Sequence, residues 1–219
     1  MNSSLLSLLV LAGIAIFLIL RLRSVLGTRE GFEKPAERQA PARADPRRDF
    51  EVIEGGPDHD IVDHVEDGSE SAKALAAMKL AEPGFNVTEF LGGARGAYEM
   101  ILMAFENGDV DDLRPFLADD VMETFEAVIE QRQEQGLTIE ASFVGVRETS
   151  LQSATFDRAE SMAEITVRFV AELTSVVKND DGEIIEGDPN EIKRQRDVWT
   201  FARTMGESNP NWVLVATDG

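Results

Sequence analysis

Three stretches of this chain carry residue types that can do chemistry. In the run Asp58-His59-Asp60-Ile61-Val62-Asp63-His64, both histidines stand among three aspartates within seven residues. Imidazole and carboxylate are the ligands of zinc and related ions. The flanking sequence is acidic and Gly-rich over 54–70, and it offers nothing to orient such ligands from behind. The stretch therefore reads as a solvated linker, and no metal site is assigned. Asn179-Asp180-Asp181-Gly182-Glu183-Ile184 resembles part of a calcium loop. Aligned on Gly182, that loop needs an oxygen ligand where Val177 stands and a glutamate where Asp188 stands, with helices on both sides. An Asp-Gly hairpin turn between strands fits better. Gly92-Gly93-Ala94-Arg95-Gly96 lacks the Lys-Ser/Thr of a phosphate loop and follows no strand.

What is missing narrows the chemistry further. The chain has no cysteine, which removes disulfides, thiolate metal sites, thiol nucleophiles and lipid-modified cysteine. Residues 84–219 contain no histidine, and Tyr98 is their one tyrosine. Their many carboxylates sit mostly beside other charges on helix surfaces, so nothing singles out one whose surroundings would shift its proton affinity. No catalytic residue and no cofactor are assigned, and the chain is expected not to be an enzyme.

Charge excludes another class. The net charge is −20, unevenly spread: residues 1–50 hold 8 Lys and Arg against 5 Asp and Glu, or +3, whereas residues 84–219 hold 11 against 27, or −16. Such a surface is repelled by phosphate backbones, which argues against nucleic acid as a partner and against broad adhesion of the domain to anionic lipid.

The element that must position everything else is the first twenty residues, which carry no charged side chain. Leu5, Leu6, Leu8, Leu9, Val10, Leu11, Ile14, Ile16, Phe17, Leu18, Ile19 and Leu20 supply its apolar surface. As a helix this stretch reaches roughly 30 Å, the thickness of a bilayer's hydrocarbon core. Its twelve large side chains contribute roughly −4 to −7 kcal/mol of insertion free energy. A cleaved signal peptide is the poorer fit, because no Lys or Arg precedes the core and no small-x-small site follows it. We expect a transmembrane anchor over 1–23. Arg21, Arg23 and Arg29 on its carboxyl side place the rest of the chain in the cytoplasm by the positive-inside rule.

Residues 24–83 read as a disordered linker, first Pro- and Ala-rich (Lys34-Pro35-Ala36-Glu37), then acidic. Within it the spacing predicts a short helix over 69–81, capped by Ser69, with Ala72, Leu75, Ala76 and Leu80 on one side. The folded domain is expected over 84–219. It opens with a helix capped by Asn86 or Thr88 and running to about Asn107, with Phe90, Ala94, Ala97, Ile101 and Phe105 along a stripe. Gly92, Gly93 and Gly96 each weaken that helix, which implies either close packing against a neighbour or a hinge or partner-contact role. A brief helical turn over Val110–Phe116 and a second long helix from Asp119-Asp120 to about Gln135 follow. After Gly136 the apolar period becomes two. Strands are predicted over 138–147, 163–174, 193–204 and 212–217. Polar residues alternating with the apolar ones, as in Glu164, Thr166 and Arg168, imply one wet face. The fold class is therefore α+β: helices packed on a curved antiparallel four-stranded sheet.

Particular runs carry a family resemblance. Arg21-Leu22-Arg23-Ser24-Val25-Leu26-Gly27 and Phe85-Asn86-Val87-Thr88-Glu89-Phe90-Leu91-Gly92-Gly93-Ala94-Arg95 resemble the bacterial TimA family, as do Trp199-Thr200-Phe201 and Trp212-Val213-Leu214. That family shares a carboxyl-terminal domain with the mitochondrial import-motor adaptor, the Tim44-like domain, and the similarity covers the anchor and about residues 84–218. The resemblance implies a nuclear-transport-factor-like cone with an apolar pocket. It also implies a non-catalytic adaptor of the bacterial inner membrane, working beside a translocase, insertase or chaperone. Phe85, Phe90, Leu91, Lys193, Arg194 and Arg196 are the expected partner or lipid contacts. The runner-up use of the same fold is a small-molecule- or lipid-binding module, or an isomerase-like enzyme, built on the pocket with an inward acidic or Tyr side chain.

Overall fold

The computed structural model describes residues 58–218. The expected anchor over 1–23, Arg21, Arg23 and Arg29, and the linker up to residue 57 lie outside the described residues. Among the described residues no helix is long and apolar enough to cross a membrane. Four helices come first: α1 (His59–Val62), α2 (Glu70–Ala81), α3 (Val87–Asn107) and α4 (Asp119–Glu134), with a 3-10 turn at Asp111–Leu113 before the last. Five strands follow: β1 (Thr138–Asp157), β2 (Met162–Lys178), β3 (Ile184–Gly187), β4 (Lys193–Thr204) and β5 (Val213–Asp218).

Local chemistry explains most of the helix ends. Ser69 Oγ accepts from Ala72 N at 3.1 Å and starts α2. Asn86 accepts from Glu89 N at 2.8 Å and starts α3, and Gly108 in the left-handed region (φ 73°) ends it. Asp119 and Asp120, where the sequence opens α4, sit in its first turn, and Ala118 is the cap position. The Ala118 N–H donates to Leu214 O at 2.9 Å, so strand pairing, not a side chain, sets that helix start.

The folded unit begins well before residue 84. Leu75 and Met78 of α2 are fully buried, and Ile61 of α1 joins the same core. The expectation of a disordered linker therefore fails from residue 58 onward. The helix was legible, but its burial was not, because α2 packs on β1 some eighty positions away, where Ser71 Oγ accepts from Ala154 N. The acidic His/Asp stretch turns out to be structural. Asp58 caps α1, and His64 Nε2 lies 3.1 Å from Thr88 Oγ1. The Asp60 carboxylate accepts from Val87 N at 2.8 Å and Thr88 N at 2.9 Å, and it meets Lys79 Nζ at 2.8 Å. With Asn86, it satisfies three of the orphan N–H donors at the start of α3. Burial opposes its charge, but the hydrogen bonds from Lys79, Val87 and Thr88 outweigh that and hold the Asp60 carboxyl well below the usual carboxylate range.

We therefore expect Asp60→Ala to destabilise the domain by about 2 kcal/mol at neutral pH, read by urea unfolding. Because the folded-state proton affinity is depressed, this contribution is present above the ordinary value of 3.8 and fades as pH falls below it. Wild type and variant curves should converge in acid. A constant gap at all pH values would refute the ionic role.

The glycines of α3 do not serve close packing. A Cβ built at Gly92, Gly93 or Gly96 meets nothing within 4 Å, so these positions face open space. Gly92→Ala and Gly96→Ala should each stabilise the domain by about 0.5–1 kcal/mol. A loss of stability in a thermal melt would mean that the helix needs those glycines for its own geometry.

The sheet is antiparallel, curved and unclosed, in the order β1-β2-β4-β5, with β3 paired to the far end of β2. Five strands replace the expected four. β3 is four fully exposed residues without alternation, so no periodicity announces it. Gly187 (φ 85°) ends it so close to Ser175 O that any Cβ would collide. β1 is twice the predicted length, because register shifts near Gly145, Arg147 and Gln152 interrupt the alternation that would have revealed it. The inner faces of β2 and β4 (Ile165, Val167, Phe169, Ala171, Trp199, Phe201) pack on α3, and the outer face carries Glu164, Thr166, Arg168 and Glu172. Asn179–Gly182 forms the expected turn, with Gly182 N donating to Asn179 O at 2.9 Å.

Candidate functional site

Two places gather side chains that can act on something outside the core. The first is a cavity of about 320 Å³ between α3 and the β4–β5 end of the sheet. Phe90, Ala94 and Ala97 from α3, Phe201 from β4, and Phe116 and Trp212 from flanking loops line it, with Glu89 and Asn211 as polar members. The helical period puts Phe90, Ala94 and Ala97 on one face, and the small alanines and Gly93 leave the space that larger residues would fill. Phe90 and Trp212 pack at 4.6 Å between centroids, Phe90 and Phe201 edge-on at 6.1 Å. The volume lies at the small end of ligand pockets.

A charged clamp holds the rim. Glu82, just after α2, pairs with Arg203 of β4 and accepts from Gly206 N at 3.0 Å. Arg203 also donates to Pro210 O at 3.1 Å and lies 5.5 Å from the centre of the Trp212 ring. The hydrogen bond from Arg203, then that from Gly206, holds the Glu82 carboxyl below its usual range. The clamp thereby fixes the loop that brings Trp212 to the cavity wall.

Deeper inside, the Tyr98 hydroxyl donates to Asp197 Oδ2, and Gln195 Nε2 donates to the other carboxylate oxygen at 3.2 Å. Tyr98 stacks on Phe169 at 4.4 Å and packs on Trp199 at 4.7 Å. Burial, and then the Asp197 carboxylate, push its hydroxyl far above the ordinary tyrosine value. An acidic side chain and a tyrosine do point inward, as an isomerase-like site would need. Neither lines the cavity, and Tyr98 is fully buried. The pair satisfies itself inside the core.

The second place is the start of β4. Lys193, Arg194 and Arg196 are exposed. Arg194 reaches Glu172 at 3.0 Å, and Arg147 holds the other oxygen of that carboxylate at 2.6 Å. Hydrogen bonds from Arg147 and Arg194 keep the Glu172 carboxyl below its usual range.

The structure thus separates the expected contact residues. Phe85, Phe90 and Leu91 are all buried at 8% exposure; Phe90 alone of them lines the cavity, and Phe85 packs against Trp212 at 6.0 Å between ring centroids. Phe85 and Leu91 are core residues, since each packs in the main apolar cluster. The basic trio stands at the opposite end of β4 from Phe201. Sequence reasoning missed Phe116, Trp212 and Arg203 as cavity and rim residues, because two lie in loops and the third pairs with a residue 121 positions away. Among the described residues no cluster of three or more metal-type ligands occurs.

Comparison with known proteins adds the following. The sequence model of the family described as "Tim44-like domain" matches residues 71–219. The mitochondrial import inner membrane translocase subunit TIM44 of Homo sapiens is 26% identical over 143 residues, 65% of this chain and 31% of that protein. The probable mitochondrial import inner membrane translocase subunit tin-44 of Caenorhabditis elegans is 26% identical over 117 residues, 52% of this chain and 27% of that protein. The chain therefore spans about a third of the length of the curated relatives it matches. Among solved structures, the intermembrane space region of the chloroplast protein ARC6 aligns over 60% of this chain and 92% of that one, with a TM-score of 0.39 and 12% identity.

Proposed function

From the premise that this chain belongs to the Tim44-like domain family, we propose that it is a non-catalytic adaptor of the bacterial inner membrane, of the TimA kind. Residues 1–23 anchor it by a single span, the segment after them tethers the domain, and the domain lies on the cytoplasmic side. There it recruits protein partners beside a translocase, insertase or chaperone. Its helices and curved sheet are an instance of the nuclear-transport-factor-like cone. The observation that carries this reading is the family match across residues 71–219, joined to the uncharged apolar opening of the sequence. The relatives' own designation as inner membrane translocase subunits supports the setting. Crosslinking in cells, followed by purification of the full chain from membranes, should recover components of a protein-translocation or membrane-protein assembly apparatus. Recovery of lipid alone, or release of the chain from vesicles by alkaline washing, would overturn it.

The cavity favours a second reading, a module that binds a small apolar molecule or an acyl chain among Phe90, Phe201 and Trp212. Quenching of tryptophan fluorescence by such a ligand, lost when Ala94→Phe fills the space, would favour it over the adaptor. Unchanged fluorescence across a panel of apolar ligands would remove it.

A further inference from the structure

Strand pairing leaves part of one edge of β4 without a strand among the described residues. β4 pairs with β2 along its whole length, Lys193 opposite Leu173 and Thr204 opposite Met162. On its other side β5 covers only Val198–Ala202. Lys193–Asp197 therefore have no strand partner on that side among the described residues. The outer edges of β1 and β5 are closed at several points. Ser71 Oγ accepts from Ala154 N at 3.1 Å, and Arg95 donates to Val146 O at 3.2 Å, both on β1. Along β5, Leu214 exchanges backbone hydrogen bonds with Phe116 and Ala118.

The bare edge is also the place where the charge reverses. Residues 84–219 carry −16, yet Lys193, Arg194 and Arg196 place three of their 11 cations within four residues. Arg194 is engaged by Glu172 and Lys193 lies in the field of the Glu106 carboxyl, while Arg196 is exposed and in no ion pair among the described residues. Ile192 immediately before them is 56% exposed. Charges on an edge strand often serve only to repel other edges. Here an acidic residue, the prevailing type of this surface, would repel equally well, and the positive sign at Arg196, which meets no carboxylate in an ion pair among the described residues, is what needs a cause.

We propose that Lys193–Asp197 is a docking edge for an extended acidic segment of a partner protein. The segment adds to β4 as a further strand, its backbone pairing with the bare amides and carbonyls and its carboxylates facing Arg194 and Arg196. A second copy of this chain is the poorer occupant, since pairing this stretch with itself opposes cation to cation. A bilayer is poorer still, because it cannot pair with the edge and the rest of the domain repels it. The inference rests on the adaptor reading for the partner's setting but not for the binding itself.

The test uses the full chain in detergent and a short fluorescein-labelled peptide of alternating Glu and Val, followed by fluorescence anisotropy. The peptide should bind, more weakly as salt is raised. Arg196→Glu, at an exposed position, should weaken it by about tenfold or more while leaving the thermal melt unchanged. The same peptide methylated on alternate backbone nitrogens keeps its charge but cannot pair, and it should not bind. Equal binding of the methylated peptide would reduce the edge to plain charge attraction and overturn the proposal. So would failure of the Glu/Val peptide while vesicles of one part phosphatidylglycerol to three of phosphatidylcholine bind through the same cations. Failure of the adaptor reading would show separately, as loss of translocase crosslinks with peptide binding intact.

Discussion

A chain shortened to begin at Gly84 will fail to fold, whereas one that begins at Asp58 will fold. The shorter chain lacks Leu75 and Met78, both fully buried, and Ile61 at 5% exposure. Removing the bulk of one such side chain costs about 2–5 kcal/mol. Losing both with the helix that carries them approaches the whole stability of an ordinary domain, about 5–15 kcal/mol. The shorter chain also loses the Asp60 clamp on Val87 and Thr88 and the Glu82 partner of half-buried Arg203. Leu75→Ala in the longer chain isolates the packing term, and a drop of about 3 kcal/mol in urea unfolding is expected. A cooperative unfolding transition in the chain from Gly84 would show α1 and α2 to be accessories.

Tyr98 will not ionise before the protein unfolds. Burial and the neighbouring Asp197 carboxylate both disfavour tyrosinate. The chain holds one tyrosine, so tyrosinate absorbance reads this hydroxyl alone. Because the folded-state proton affinity is raised, the stability it contributes is intact below the ordinary value of 10.0. It is lost as pH rises beyond that, since the unfolded chain then releases the proton and the folded one does not. The absorbance change should coincide with loss of the far-ultraviolet circular dichroism signal. Tyr98→Phe should remove this alkaline sensitivity and lower stability at neutral pH by about 2 kcal/mol, the scale of a hydrogen bond to a charged group. A reversible titration near pH 10 in protein that keeps its circular dichroism would show that the hydroxyl reaches water.

Much of this fold is written in neighbouring residues. The apolar period of Phe90, Ala94, Ala97 and Ile101, the caps Ser69 and Asn86, the alternation along β2 and the Asp-Gly turn are all short-range, and they led to an α+β domain with a wet outer sheet face. Strand β3, at four exposed residues, and the bulged half of β1 escaped, because register shifts and short length erase the period on which such reading depends. The basic run at Lys193–Arg196 was plain as composition, and its meaning as a bare edge was not, since β5 had first to be seen stopping opposite Val198.

Caps, turns and periodicity act over a few residues, so the order and kind of the elements and the acidity of the whole could be read from composition and spacing alone. The contacts that turn an acidic linker into part of the core and shape the cavity join residues far apart. Asp60 meets Val87 across 27 positions, Tyr98 meets Asp197 across 99, and Glu82 meets Arg203 across 121. No local pattern encodes such pairs, because each depends on where the sheet's curvature and register bring two distant side chains, and that is settled by packing the entire chain at once.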